Sequence, residues 1–230
     1  MEFLKVVVAA VLRINENKRA LSKALARSFA AFFIIDLLSL FNFPSSVFWF
    51  VSMLEFGVYA IFAIIIHRIL LFGPRAVAPW GITSWSDRET SFVLHILGIC
   101  LLITPIFSIF IGFFHSSVPA TTVTVTLVLL GALLTGWIVS RLSLVFPGIA
   151  TDKDMSFRLS WKMTANHQLL MMAVVLLLPL LLIFPVTLLD YIPYSFLLVS
   201  LGATIALAFE IAVLSVAYQR IARSINAAGE

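Results

Sequence analysis

Apolar residues gather in six runs of about 20, each long enough to cross a hydrocarbon core of roughly 30 Å as a helix. The runs cover residues 25–41, 49–66, 91–114, 123–140, 169–188 and 194–217. Local signals mark their ends. Asn42-Phe-Pro-Ser-Ser46 reads as a tight turn, and Ser86 and Glu89 have the spacing in which two side chains satisfy the free amides of a helix start. Pro105 predicts a kink in the third run. Ala132, Gly136 and Ser140 recur every four residues and predict a close helix approach. Pro179 and Pro185 in the fifth run, and Gly202, Ala206, Ala208 and Ala212 in the sixth, place both inside the bundle. The predicted fold is all-α, a polytopic bundle of six transmembrane helices forming one integral membrane domain over residues 1–230.

Ahead of the first run the pattern changes. Phe3, Val6, Val7, Val11 and Ile14 share one side of a helix, with Lys5, Ala9 and Arg13 on the other. Residues 1–22 are therefore expected to lie along a headgroup layer as an interfacial amphipathic helix. A cleaved signal peptide would need a small-x-small site before the polar Asn15–Arg19 stretch, and the sequence has none there. The other long polar break, 141–164, separates the fourth and fifth runs.

Composition agrees with the pattern. Of 230 residues, 62% are hydrophobic and 11% charged, with a mean hydropathy of +1.11, far from the roughly one quarter charged of soluble domains. The single cysteine, Cys100, allows no intrachain disulfide.

Charge then orients the runs. Lys5, Arg13, Lys18, Arg19, Lys23 and Arg27 precede the first, and Arg68, Arg75 and Arg88 follow the second. Arg141, Lys153, Arg158 and Lys162 follow the fourth, and Arg220 and Arg223 follow the sixth. These are all 15 basic residues, and every one falls on the same side of a six-span chain. The positive-inside rule makes that side cytoplasmic, with both termini on it. Basic residues spread over short loops orient a membrane protein, which argues against nucleic acid as a partner. Spans 2, 4 and 6 end in His67-Arg68, Ser140-Arg141 and Gln219-Arg220. Either three hairpins repeat in parallel, or these are the residues any cytoplasmic helix end carries.

Within the runs the informative residues are acids. An ionised carboxylate near the bilayer centre costs about 2.5–3.5 kcal/mol, and no basic residue is available at the level of Asp36 or Glu55. Helix rise puts these two within about 5 Å of the same height, so they can share a site for a proton, a cation or a polar headgroup, or hold two helices in register. Glu210 lies in the inner half of the sixth run, where pairing with Arg141 competes with snorkelling of Arg68 and Arg141 to headgroup phosphates. Asp190 is expected to face water. His67, His95, His115 and His167 are scattered without ligand spacing, so no metal or cofactor is expected. No nucleophile elbow or phosphate-cradling loop appears, so no catalytic residue is assigned.

Residues 141–164 carry a pattern: Arg141-x-x-Leu144-x-x-Pro147-x-x-Ala150-x-Asp152, then Ser156-Phe157, then Trp161-x-x-Thr164. It resembles the signature between the fourth and fifth spans of six-span bacterial inner-membrane proteins similar to the membrane domain of some glycerophosphodiester phosphodiesterases. His67-Arg68-x-x-Leu71 resembles their segment after the second span. The resemblance implies a bacterial plasma membrane and a cytoplasmic interface motif of Arg68, Arg141, Pro147, Asp152, Phe157, Trp161 and Thr164. It departs from the pattern at Thr164-Ala165-Asn166, where a Gly-Asn is usual, and the soluble phosphodiesterase domain has no counterpart in these residues. Read on their own, Pro147 and Gly148 stop a helix and Asp152 and Asp154 start another. Phe157 and Trp161 then form an aromatic stripe toward lipid, or toward a cytoplasmic partner, while Arg158 and Lys162 meet anionic headgroups.

The leading expectation is a non-enzymatic accessory or scaffold component contacting membrane lipids, other membrane proteins or a second copy. The alternative is a small transporter or permease-like component using the intramembrane acids. An integral-membrane enzyme of lipid metabolism ranks third. Whether Asp36 and Glu55 face a cavity or a packed seam separates the first two.

Overall fold

A computed structural model describes residues 2–39, 41, 44–82, 84–115, 122–191 and 195–228. Asn42, most of the turn expected at 115–120, Tyr194 and the side chain of Asp190 lie outside the described residues. The described chain is all-α. Its helices are α1 (Glu2–Ser39), α2 (Ser45–Phe72), α3 (Asp87–His115), α4 (Thr122–Leu142) and the short α5 (Val145–Ala150) and α6 (Phe157–Met163). They are followed by α7 (Gln168–Met172), α8 (Leu178–Leu188) and α9 (Phe196–Ala228). Five segments are long and apolar enough to cross a membrane: Ser45–Phe72, Asp87–Ile106, Val125–Ala150, Ala165–Leu188 and Phe196–Ile225. The protein is a multi-pass membrane protein.

The expected division between an interfacial helix and a first span is corrected: α1 is one continuous helix over both. Its apolar C-terminal half carries Lys23, Arg27 and Asp36 and so falls outside the five. The apolar side expected on its first half forms but faces protein rather than headgroups: Val6 and Ala10 are buried and Phe3, Val7 and Ile14 pack against the core, while Val11 of the expected stripe is exposed. The reason is protein contact. Arg13 donates to the Leu70 carbonyl at 3.1 Å and to Gln219, and Glu2 pairs with Arg220 at 2.5 Å. The first half of α1 thus packs on the ends of α2 and α9.

The core centres on the second half of α2, where Ala60 and Phe62–His67 are all buried. This helix is apolar all round, as a fully surrounded helix must be, and it packs on α1, α3, α5 and α9. Span 5 was expected inside the bundle, and one side of it is: Leu170, Met171, Val174 and Leu178 lie in the core, next to α4 and α9, while Leu180, Leu181, Ile183 and Phe184 are exposed. A π-helical segment, Ala173–Leu177, precedes Pro179 and accommodates the missing proline N–H. At Gly136 the close neighbour is a side chain rather than the backbone expected from the small residues: a Cβ there would lie 2.9 Å from Leu176 Cδ1.

The link after α2 folds back into the groove between α1 and α2. Gly81, at φ +85°, sits where a Cβ would meet the Ala24 carbonyl oxygen at 2.6 Å. At the start of α3 the side chain of Glu89 accepts from the Ser86 N–H at 2.8 Å, which is the Glu half of the predicted cap.

Candidate functional site

The motif residues of the 141–164 stretch come together, and what they do is fasten helix ends. Pro147 sits inside α5, and Gly148 lets Met155 fold against it, because a Cβ there would lie 2.0 Å from Met155 Cγ. The chain then turns at Asp152, which takes φ +57°, a conformation that Asp tolerates better than most residues. This turn aims the carboxylate at two arginines. Arg68, at the end of α2, reaches it at 2.5 Å and also donates to the Ala150 carbonyl at 3.1 Å. Arg88, at the start of α3, reaches it at 3.1 Å and holds buried Glu89 at 2.7 Å. One exposed carboxylate therefore ties α2, α3 and α5.

Burial acts to raise the pKa of Asp152, but hydrogen bonds and charges from Arg68 and Arg88 outweigh it and hold the carboxyl below the ordinary aspartate range. The native state therefore binds this proton more weakly than the unfolded chain does. The stabilisation is complete above the ordinary value of about 3.9 and disappears as pH falls through the lower folded value. Asp152 is 54% exposed, so screening keeps the effect to about 1 kcal/mol or less. Acid unfolding of wild type and Asp152→Asn should differ by a constant amount above pH ~3.9 and converge as pH falls from there through the lower folded-state value.

The second half of the motif is a knot around Arg141. Its carbonyl accepts from Ser160 at 2.9 Å and Thr164 at 3.3 Å, both fully buried. Its guanidinium lies 4.6 Å over the Trp161 ring, which meets Trp137 edge-on at 5.2 Å. Arg141 is only 5% exposed and, among the described residues, forms no ion pair with Glu210; its guanidinium lies under Trp161 instead of reaching outward. Arg68 likewise turns to Asp152 rather than to headgroups. The aromatic stripe is also corrected: Phe157 packs on His95 at 4.9 Å and against Gly98, because α6 folds back on α3 and α4. Arg158, Leu159 and Lys162 are the exposed positions of α6.

The acids form the other constellation, at the opposite end of α2. Asp36 on α1 and Glu55 on α2 line one cleft of about 330 Å³ with Ser200 and Thr204 on α9. The Ser200 hydroxyl donates to Asp36, and Asp36 and Glu55 are close enough for their charges to interact. Phe32, Tyr59 and Phe196 contribute rings, and no Lys or Arg is among the described lining residues. Glu210 lies apart, within electrostatic reach of Tyr59.

Sequence reasoning passed over Ser200, Thr204 and Tyr59. Their signal was periodic: Glu55 and Tyr59, like Ser200 and Thr204, are four apart and share a helix face. His67 was also passed over as one of four scattered histidines. It is 1% exposed, and its Nδ1 lies 2.7 Å from Ser215 Oγ on α9.

The described residues contain no cluster of His, Cys, Asp and Glu that could hold a metal ion. Comparisons with protein-family models, curated proteins and solved structures returned no match to this chain.

Proposed function

We propose that this protein is a small permease-like membrane component that takes an organic cation into the cleft between α1, α2 and α9. The observation that carries this reading is that Asp36 and Glu55, on different helices, line one open cleft with no basic residue among its described lining. Each carboxylate costs about 2.5–3.5 kcal/mol if ionised in hydrocarbon, and a cation seated between them offsets that cost. Phe32 and Phe196 line the cleft, and an aromatic face is worth up to about 2 kcal/mol to a desolvated quaternary ammonium. The accessory or scaffold role needs these acids to fasten helices in a packed seam. Ser200 does fasten Asp36, but Glu55 is exposed on the cleft, which weighs toward the permease reading.

The same proposal places the second half of α1 as a sixth crossing, in a bacterial plasma membrane with both termini cytoplasmic. Its support is the gathering of basic residues at one end: Arg13 on Gln219, Arg220 on Glu2, Arg68 and Arg88 on Asp152, and Lys153 over Tyr218. The likeness of residues 141–164 to six-span inner-membrane proteins favours it too. A periplasm-active reporter inserted between His115 and Ala120 is expected to be active, and activity of a cytoplasmic reporter there would reverse the orientation.

Tetraethylammonium is the probe for the cleft. In detergent-purified protein, Asp36→Asn and Glu55→Gln should each weaken its binding about tenfold, equivalent to about 1.4 kcal/mol. Unchanged affinity in the double variant would remove the cleft from the function.

A further inference from the structure

Small residues of α9 that were expected to lie inside the bundle, among them Gly202, Ala206 and Ala212, instead floor a groove of about 500 Å³. α1 and α8 each pack on α9 and supply the walls, with Leu25 and Phe29 on one side and Leu182 and Val186 on the other. Both α8 and α9 lie in segments long and apolar enough to cross a membrane, so the groove lies against hydrocarbon. It shares no described lining residue with the acid-bearing cleft.

The lining restricts what can fill such a groove. Ser22 is the one polar position among the described lining residues, and its hydroxyl already donates to the Arg19 carbonyl at 3.2 Å. Water would find too few partners there. Size then separates the apolar occupants. The groove follows α9 from Gly202 to Ala212, about 15 Å at helical rise, so its cross-section averages about 33 Å². A helix of about 10 Å diameter needs about 80 Å², whereas an extended hydrocarbon chain is one methylene wide.

The Ile14 end of the groove carries positive charge. Lys18 stands between Ile14 and Ser22 at four-residue spacing, on the same face of α1, and is exposed. Its ammonium gives one N–H to Asn15 Oδ1 at 3.1 Å, toward that end, and keeps two further donors. Arg19 and Lys23 are exposed beside it. Glu16, the one acid between Ile14 and Phe29, lies about 160° round the helix from Lys18.

We propose that this groove is a lipid site, in which one acyl chain of an anionic phospholipid lies over Gly202, Ala206 and Ala212 and Lys18 holds its phosphate. Arg19 and Lys23 stand at the same headgroup level. The chain gains no hydrophobic energy by leaving the bilayer, since lipid is as apolar as the groove. Its gain is the dispersion contact that an unfilled groove would forfeit. Any chain supplies that, so selectivity resides in the headgroup. Phosphatidylglycerol presents a net negative charge to the three cations, whereas phosphatidylcholine cancels its phosphate with its own ammonium.

Native mass spectrometry tests this on the full chain, stripped of lipid in nonionic detergent and titrated with up to one equivalent of phosphatidylglycerol or phosphatidylcholine. The wild type should retain one lipid and prefer phosphatidylglycerol. Lys18→Gln should weaken phosphatidylglycerol binding about fivefold, equivalent to the roughly 1 kcal/mol of one lysine at an anionic surface, and reduce the preference. Ala206→Phe lays a ring across the floor and should lose the bound lipid of either kind, with a thermal midpoint no lower than that of the wild type. If that variant fails to fold, the Lys18→Gln comparison decides alone. Equal affinity of the wild type for the two lipids, unchanged phosphatidylglycerol affinity in Lys18→Gln, or lipid retained by folded Ala206→Phe would overturn the site. So would a lipid-free dimer, which would seat a helix of a second copy in the groove.

Discussion

Phe62→Ala is expected to destabilise the protein by about 3–5 kcal/mol, the range for removing a fully enclosed aromatic side chain. Phe62 has no exposed surface and receives two rings edge-on from α1, Phe29 at 5.6 Å and Phe32 at 5.4 Å. The three rings are one of the contacts by which α1 docks on the central helix, and Phe32 also lines the acid-bearing cleft. The same substitution should therefore weaken tetraethylammonium binding even though Phe62 does not touch the cleft. Phe62→Leu keeps most of the volume and should cost under about 1.5 kcal/mol. Denaturant unfolding in detergent measures both, and equal midpoints for the alanine and leucine variants would refute the account.

Gly81→Ala is expected to cost about 2–5 kcal/mol, from two sources that act together. The left-handed φ of +85° costs a residue with a Cβ about 1–2 kcal/mol. Overpacking adds about 1–3 kcal/mol, because the new methyl would sit 2.6 Å from a backbone oxygen of α1 and 3.1 Å from Ile65 Cδ1. A helix carbonyl cannot swing aside as a side-chain tip does, so the link must leave its groove. Faster proteolysis within residues 77–86 of the variant would report that displacement. A thermal midpoint equal to that of the wild type would show that the link does not hold α1.

Parts of both constellations were legible beforehand. The similar heights of Asp36 and Glu55 followed from helix rise and hairpin geometry alone, and the cleft unites them. The Glu89 half of the cap on Ser86 also formed as its spacing required. Other expectations failed for one shared reason. Phe157 and Trp161 form a stripe whether they face lipid or α3 and α4, and Arg141 reads as an interfacial arginine whether it reaches a phosphate or lies under Trp161. The break expected within α1 failed differently. Asn15–Arg19 is polar but contains no Gly or Pro, so nothing in its backbone chemistry ends a helix.

By itself the amino-acid sequence determined that the chain is helical, that it crosses a membrane repeatedly, and where along it the basic residues cluster. These are local, additive quantities: hydropathy sums over some 20 residues, and lipid demands that each span satisfy its own backbone. Only the tertiary structure decided which side chain meets which: that Asp152 faces Arg68 and Arg88, that α2 is the central helix, and that Ser200 and Thr204 of α9 join Asp36 and Glu55 in one cleft. Helices apolar on every side carry no marked face, and in hydrocarbon their association rests on close packing and a few hydrogen bonds. Neighbours are therefore chosen by the fit of whole surfaces, which no window of sequence contains.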